Sequence, residues 1–332
     1  MLSIALLTVL SLPIHAEDAV DDGTEVRGMT ISCPTSGWEW GTDDTVETMK
    51  ELKGMGVNWV TIHPYAGIAA DGTVSSDLDP DNPPEWITRP IAEAHKLDLR
   101  ILMKPHIAHW GSPFDWRGEI SFETAEEWTR FFETYDKWIV DMAKVSKDAD
   151  AFVVGTELDM TVQHDKAWRR IIGDVRGVYS GHLTYGANWD AYEKVGFWDA
   201  LDAVGIQAYF PLVADEDDPP TADAIAHGWA KVVLDLRKIH KQTGKPIVFT
   251  ELGYARNPKA AHRPWEHRDI PKGEGTQLAC MRTALKVIET EEAVVGAFLW
   301  KWFPGDAEPR NYSMKTPAMK ALIERHYKQP AE

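Results

Sequence analysis

The chain is short of cysteine, short of basic side chains and without a dinucleotide-binding glycine turn. Its only cysteines, Cys33 and Cys280, are far apart in sequence. No disulfide can be deduced from such a pair, and two buried thiols are expected. Lys and Arg total 35 against 52 Asp and Glu, a net charge of −17. Phosphate binding needs clustered cations, so this balance argues against nucleic acid or an anionic membrane as a partner. The excess reads as a solvated acidic surface. No Pro/Gly/Ser-rich linker divides the chain, and no segment is of low complexity.

A transmembrane run is missing too. The first sixteen residues, MLSIALLTVLSLPIHA, hold an apolar stretch followed by acidic EDAVDD. At about a dozen residues the stretch is too short to span a bilayer and resembles a secretory signal, although no Lys or Arg precedes it. Residues 1–16 are therefore read as a signal peptide, 17–26 as an acidic linker, and 27–329 as one folded domain. Export to the periplasm or the medium is the expected destination.

What is present is the composition of a soluble globular protein, 44% hydrophobic and 26% charged over 332 residues. Eight short apolar runs read as strands, at 26–32, 57–63, 99–105, 151–157, 182–188, 203–209, 246–251 and 294–300. They are mostly continuous rather than alternating, as in strands covered on both faces. Helical patterns fall between them at 44–53, 85–95, 166–179, 222–243, 277–290 and 318–328. The clearest helix starts at TAEEW, where Thr124 and Glu127 have capping-box spacing. Trp128, Phe131, Phe132, Tyr135, Trp138, Ile139 and Met142 then recur at helical spacing, a stripe that reads as core.

Eight strands with intervening helices predict an α/β fold, a single-domain (β/α)8 TIM barrel. The rival, a doubly wound open sheet, lacks its mark: ISCPTSGWEW after the first strand contains no GxGxxG. Loop lengths agree with the barrel. Helix-to-strand connections are tight, whereas strand-to-helix connections at 66–84, 108–122, 212–220, 255–275 and 303–316 are long. In a barrel the long loops share the carboxyl end of the strands, where active sites sit.

Two of the runs end alike. AFVVGTELDM and KPIVFTELGY bring strands four and seven to Glu157 and Glu251. Strands four and seven lie on opposite sides of a barrel mouth, so these carboxyls are placed to face each other. A separation of about 5–5.5 Å suits a retaining glycosidase, and about 6.5–9.5 Å an inverting one. One carboxyl must stay protonated to serve the leaving oxygen, and the other must stay ionised to attack. A lone Glu at a strand end is as readily a salt-bridge partner; the pairing across two strands carries the reading.

Fifteen tryptophans are present. Nine fall near strand ends or in long loops: Trp38, Trp40, Trp110, Trp116, Trp189, Trp198, Trp265, Trp300 and Trp302. Indole faces stack on the C–H faces of pyranose rings, and a row of them makes a sugar-binding groove. Trp300, after the apolar run VVGAFL, is expected to face inward as a platform, and Trp38 and Trp302 to line the groove. The helical Trp128, Trp138, Trp168 and Trp229 are assigned to packing.

The stretches VVGTELDMTVQHDKAWRRII, LTYGANWDAY, FWDALDAVGIQAYFPL, GKPIVFTELGY and VGAFLWKW resemble clan A of the glycoside hydrolases, and within it family 113, whose members are mainly β-1,4-mannanases. These stretches span most of residues 27–325. The resemblance implies Glu157 as acid/base and Glu251 as nucleophile. It implies Tyr209 as a phenol bonded to the nucleophile and Trp300 as the platform under the attacked sugar. Asn188 and Trp189 are implied as substrate contacts. One departure is Thr156, where much of the clan has an asparagine touching the sugar 2-hydroxyl. Loss of that contact fits an axial hydroxyl, as in mannose.

VTIHPY and ILMKPHIAHW place His63, Lys104, His106 and His109 near the ends of strands two and three. Three readings stay open: contacts to sugar hydroxyls, support for the glutamates, or metal ligation. His106-x-x-His109 past a strand end does not single out a metal, so no metal and no cofactor are expected. The expected function is retaining hydrolysis of a β-linked oligo- or polysaccharide, with an endo-β-1,4-mannanase acting on mannan or glucomannan foremost. The alternatives are a glycosidase or transglycosidase on another β-glycan, a carbohydrate-binding barrel without catalysis, or a metal-dependent barrel hydrolase.

Overall fold

The computed structural model describes residues 25–214, 220–305 and 311–328. The stretch read as a signal peptide, all but the end of the stretch read as a linker, and parts of the loops at 212–220 and 303–316 lie outside the described residues. Eight parallel strands form a closed barrel in chain order: β1 (Val26–Ile31), β2 (Trp59–Ile62), β3 (Arg100–Met103), β4 (Ala151–Thr156), β5 (His182–Asn188), β6 (Val204–Gln207), β7 (Ile247–Leu252) and β8 (Val294–Trp302), with β8 pairing back to β1. Among the described residues, seven α-helices cover it: α1 (Asp43–Gly54), α2 (Glu85–Lys96), α3 (Ala125–Val145), α4 (Asp165–Arg176), α5 (Ala222–Thr243), α6 (Glu274–Thr290) and α7 (Pro317–Tyr327). The β5–β6 connection makes do with two 3₁₀ turns, Tyr192–Lys194 and Trp198–Ala200.

Local sequence explains the helix starts. The α3 capping box forms: Thr124 Oγ1 accepts from the Glu127 N–H, and Glu127 accepts from the Thr124 N–H. At α7, Thr316 caps and Pro317 takes the first turn, where no N–H partner is needed. The aromatic stripe of α3 packs inward as expected, and Tyr135 Oη donates to Val154 O on β4 at 2.8 Å. Trp138, Trp168 and Trp229 are buried, and Trp128 is half-buried against the same core.

Strand periodicity then sorts the barrel interior. Val26, Trp59, Leu102, Val153, Ala203, Val248 and Phe298 form an apolar cluster of their own, plugging the amino end. Two and four residues on from Trp59 and Leu102 come Thr61 and His63, and Lys104 and His106, all buried. Gly296 allows the barrel to close at β1, since a Cβ there would lie 2.1 Å from the Val26 carbonyl oxygen.

Two irregularities break the alternation. On β7 the register slips between Phe249 and Glu251. Thr250 donates to Gln207 Oε1 within the barrel, and Glu251 after it also turns toward the interior instead of the helix layer. Such slips re-aim side chains next to active sites. On β8 the pairing with β1 slips between Met29 and Ile31. Trp302 thereby joins the outer core beside Ile31, with the Lys320 ammonium 5.2 Å from its ring centroid.

One feature leaves no periodic mark in the sequence. Beyond β2 and β3 the chain forms a small three-stranded sheet from Tyr65–Ile68, Val74–Ser75 and His106–Ala108. Its strands are two to four residues long and continue past His63-Pro64 and Lys104-Pro105, too short for a periodic signal. The sheet pairs Tyr65 with His106 at the barrel mouth. Cys33 and Cys280 are free thiols, each pushed up to about 12 by burial.

Candidate active site

The carboxyl ends of the strands open into a cleft of about 490 Å³. Glu157, Glu251, Tyr209, Asn188, Trp189 and Trp300 all line it. Trp116, Arg117, Trp265 and Tyr312 complete the walls from the long loops.

Glu251 is held from two sides. Lys104 Nζ donates to its Oε1 at 2.5 Å, and Tyr209 Oη donates to its Oε2 at 2.5 Å. Lys104 also donates to the Thr250 carbonyl at 3.1 Å. His106 Nε2 lies 3.7 Å from Oε1. Burial drives the Lys104 pKa down, and the Glu251 carboxylate partly offsets this. Burial and neighbouring charge raise the Tyr209 phenol well above its ordinary value, so it remains a donor. This is a carboxylate with its charge compensated and its lone pairs aimed.

Glu157 is set differently. It follows β4 with a positive φ of 53°, and its N–H donates to Gly186 O at 2.8 Å. Burial raises its pKa, the Arg117 charge opposes the rise, and the Glu251 charge adds to it. Arg117 Nη1 stands 3.8 Å from Oε2, and the Trp116 indole hydrogen-bonds the same carboxyl. Two carboxyls thus share one cleft, one compensated by a cation and a phenol, the other biased toward its proton.

Trp300 forms the floor. The His63 and His106 rings lie 5.2 and 6.3 Å from it, and Lys104 Nζ is 4.6 Å from its centroid. Its peptide bond to Lys301 is cis. Burial and nearby cations push His63 and His106 well below the ordinary imidazole range, so both are neutral. At the other wall Trp189 and Trp265 stack at 5.5 Å and 4°. Tyr312 ties the last loop in, donating to Pro264 O at 2.7 Å.

Several expected substrate contacts are placed elsewhere. Lys104 is fully buried beneath Glu251, hydrogen-bonded to that carboxylate and outside the cleft lining. His63 is buried between Trp40 and Trp300, with Nε2 3.1 Å from Ser32 Oγ, and stands behind the platform. Trp302 is fully buried through the β8 register slip. Trp40 and Trp198 are core residues as well. Trp38 is exposed but lines a neighbouring groove. Thr156 is buried, and its hydroxyl donates to Pro105 O at 3.2 Å. His109 lies half-buried against Trp110, outside the cleft lining.

Arg117 and Tyr312 were not foreseen. Both sit in long loops flagged only by length, and nothing in their neighbourhood marks them individually. Among the described residues, no group of three or more His, Cys, Asp or Glu is arranged to hold a metal ion.

The model of Glycoside Hydrolase Family 113 matches residues 29–317. Among solved structures, the family 113 β-mannanase AaManA of Alicyclobacillus acidocaldarius, in complex with ManMIm, superposes with a TM-score of 0.78 at 26% identity, covering 92% of this chain and 98% of that one. A second family 113 β-1,4-mannanase, also a complex, gives 0.79 at 21% identity, covering 92% and 100%. A family 5 mannosidase from Rhizomucor miehei shares the fold at 0.63 and 12% identity, each chain 92% covered. No curated protein sequence matches the chain significantly.

Proposed function

The chain belongs to glycoside hydrolase family 113, and from that premise we propose that it is a retaining endo-β-1,4-mannanase acting on mannan or glucomannan. The observation that carries this reading is the pair of carboxyls in one cleft, Glu251 buried and Glu157 partly so, with opposed electrostatic settings. Two solved structures that it resembles, with TM-scores of 0.78 and 0.79, are β-mannanases, which supports the substrate class.

Glu251 attacks the anomeric carbon of a sugar seated on Trp300. Glu157 gives its proton to the departing glycosidic oxygen, and a glycosyl ester on Glu251 results. Ester formation removes the Glu251 charge. That charge had been holding the Glu157 proton on, so its loss lets Glu157 act as base toward water in the second step. Water attacks the anomeric carbon, Glu157 takes its proton, and the free carboxylate of Glu251 leaves. Tyr209 and Lys104 keep the nucleophile aimed throughout. The buried hydroxyl of Thr156, engaged with Pro105, leaves a 2-hydroxyl without the asparagine contact common in the clan, in keeping with an axial group.

Replacement tests this. Glu251→Ala removes nearly all activity on mannan, and azide rescues Glu157→Ala on an aryl β-mannoside, whose leaving group departs without a proton, with release of a glycosyl azide. Near-normal turnover by either variant across mannan, glucomannan, xylan and cellulose oligosaccharides would refute the assignment. Product lengths over time from linear manno-oligosaccharides separate endo from exo action. We propose export as well, on the apolar leader of the sequence; activity in cells rather than in periplasm or medium would count against it.

A further inference from the structure

Among the described residues, only Asp98, Glu157 and Tyr312 are non-glycines with a positive φ. A side chain strains that conformation, so the surroundings must hold it. At Glu157 the two N–H groups that flank the Cα are both tied to β5. Its own N–H donates to Gly186 O at 2.8 Å, and that of Leu158 donates to Tyr185 Oη at 2.9 Å. Leu158 is buried, so without the phenol oxygen its N–H would be left unpaired away from water.

Tyr185 reaches this N–H from behind the barrel wall. On β5, Asn188 lines the cleft and Gly186 faces Thr250 inside the barrel. Alternation turns Tyr185 to the other side of the strand, where its ring packs on Trp168 and Phe197 with centroids 5.2 and 5.5 Å away. Gly155 of β4 makes the room, since a Cβ there would lie 2.8 Å from Tyr185 Cε2. The ring is wholly buried and fixed by these neighbours. Burial, and next the charge of Asp159, raise the phenol well above its ordinary value, so it stays neutral. Resting on the functional reading above, we propose that Tyr185 is a positioning residue for the acid/base: its hydroxyl fixes the Leu158 N–H, and with it the left-handed turn that aims the Glu157 carboxyl at the glycosidic oxygen. Its side chain lies outside the cleft lining and acts through the turn alone. Loss of the hydroxyl lets the turn relax toward negative φ and the carboxyl swing off its line. Proton donation weakens, while Glu251 on β7 keeps its own partners.

Tyr185→Phe removes one oxygen and keeps the ring. The parent and this variant are compared on two aryl β-mannotriosides. One releases dinitrophenolate, which departs without a proton, and the other releases phenol, which needs one. The variant is expected to lose about tenfold or more in kcat/KM on the phenyl substrate and no more than about twofold on the dinitrophenyl one. On the dinitrophenyl substrate the slow step is the second, in which Glu157 acts as base, so kcat falls there and azide restores it. A purely structural role would lower kcat/KM on both substrates alike, through the amount of folded enzyme. Equal losses on the two, or none on either, overturn the positioning role and leave the mannanase reading standing. Should Tyr185→Phe not fold, an ester in place of the peptide bond to Leu158 deletes the same hydrogen bond from the donor side and is judged by the same ratio. A parent enzyme that cleaves neither mannotrioside nor mannan overturns the mannanase reading, and the role of Tyr185 with it.

Discussion

Lys104 Nζ stands 2.5 Å from Glu251 Oε1, and both side chains are withdrawn from solvent. The strand alternation of β3 and the register slip of β7 bring them together under the cleft floor. Neither charge has another full counter-charge as close, and each would be costly to bury alone.

Removing one partner therefore strands the other. Lys104→Met is expected to lower unfolding stability by about 3–5 kcal/mol. The double variant Lys104→Met with Glu251→Leu recovers most of that loss, because no uncompensated charge is left. Urea unfolding of the four proteins measures the coupling. Strictly additive effects would show that the two groups do not act as a pair.

Arg117 governs the basic limb of the pH profile. Its charge opposes the upward shift of Glu157, which burial and Glu251 produce. The acid form of Glu157 is the one that starts the reaction. Arg117→Gln removes the opposing charge, so the proton is held to higher pH and the alkaline limb of kcat/KM moves upward. A limb that moves downward or stays in place would contradict this role.

Asp159, two residues past Glu157, is raised to about 7 by burial and by the charges of Glu157 and Asp190. Its Oδ1 is buried without a hydrogen-bond partner. The unfolded value is about 3.9, so between there and 7 the folded state binds more protons and stability falls as pH rises. Asp159→Asn cannot ionise. Its stability relative to the parent should rise across that window and level off above it. Thermal unfolding followed from pH 4 to 8 checks this; a difference that is flat with pH would contradict it.

The barrel and the two glutamates were legible because both rest on patterns spread over the chain. Continuous apolar runs mark strands covered on both faces, and long loops fall on one side of them. Side-chain direction beyond the strand ends was less legible. Simple alternation carries Trp302 inward with Trp300, and only the slip between β8 and β1 turns it out. Lys104 was recognised as part of the mouth, but its depth follows from the pairing of β3 with its neighbours, which sequence does not display. Arg117 enters from a loop whose path is set by tertiary packing alone. The small sheet carrying Tyr65 and His106 has strands of two to four residues, below the length at which a period can be seen.

The most direct measurement concerns the covalent step. A 2-deoxy-2-fluoro-mannosyl fluoride slows both steps of retaining catalysis while its good leaving group preserves the first, so the glycosyl ester accumulates. Peptide mass spectrometry should then find the fluorosugar on Glu251, in the peptide containing Phe249-Thr250-Glu251-Leu252. A label on any other residue, or a first-formed product of inverted anomeric configuration, would contradict the account.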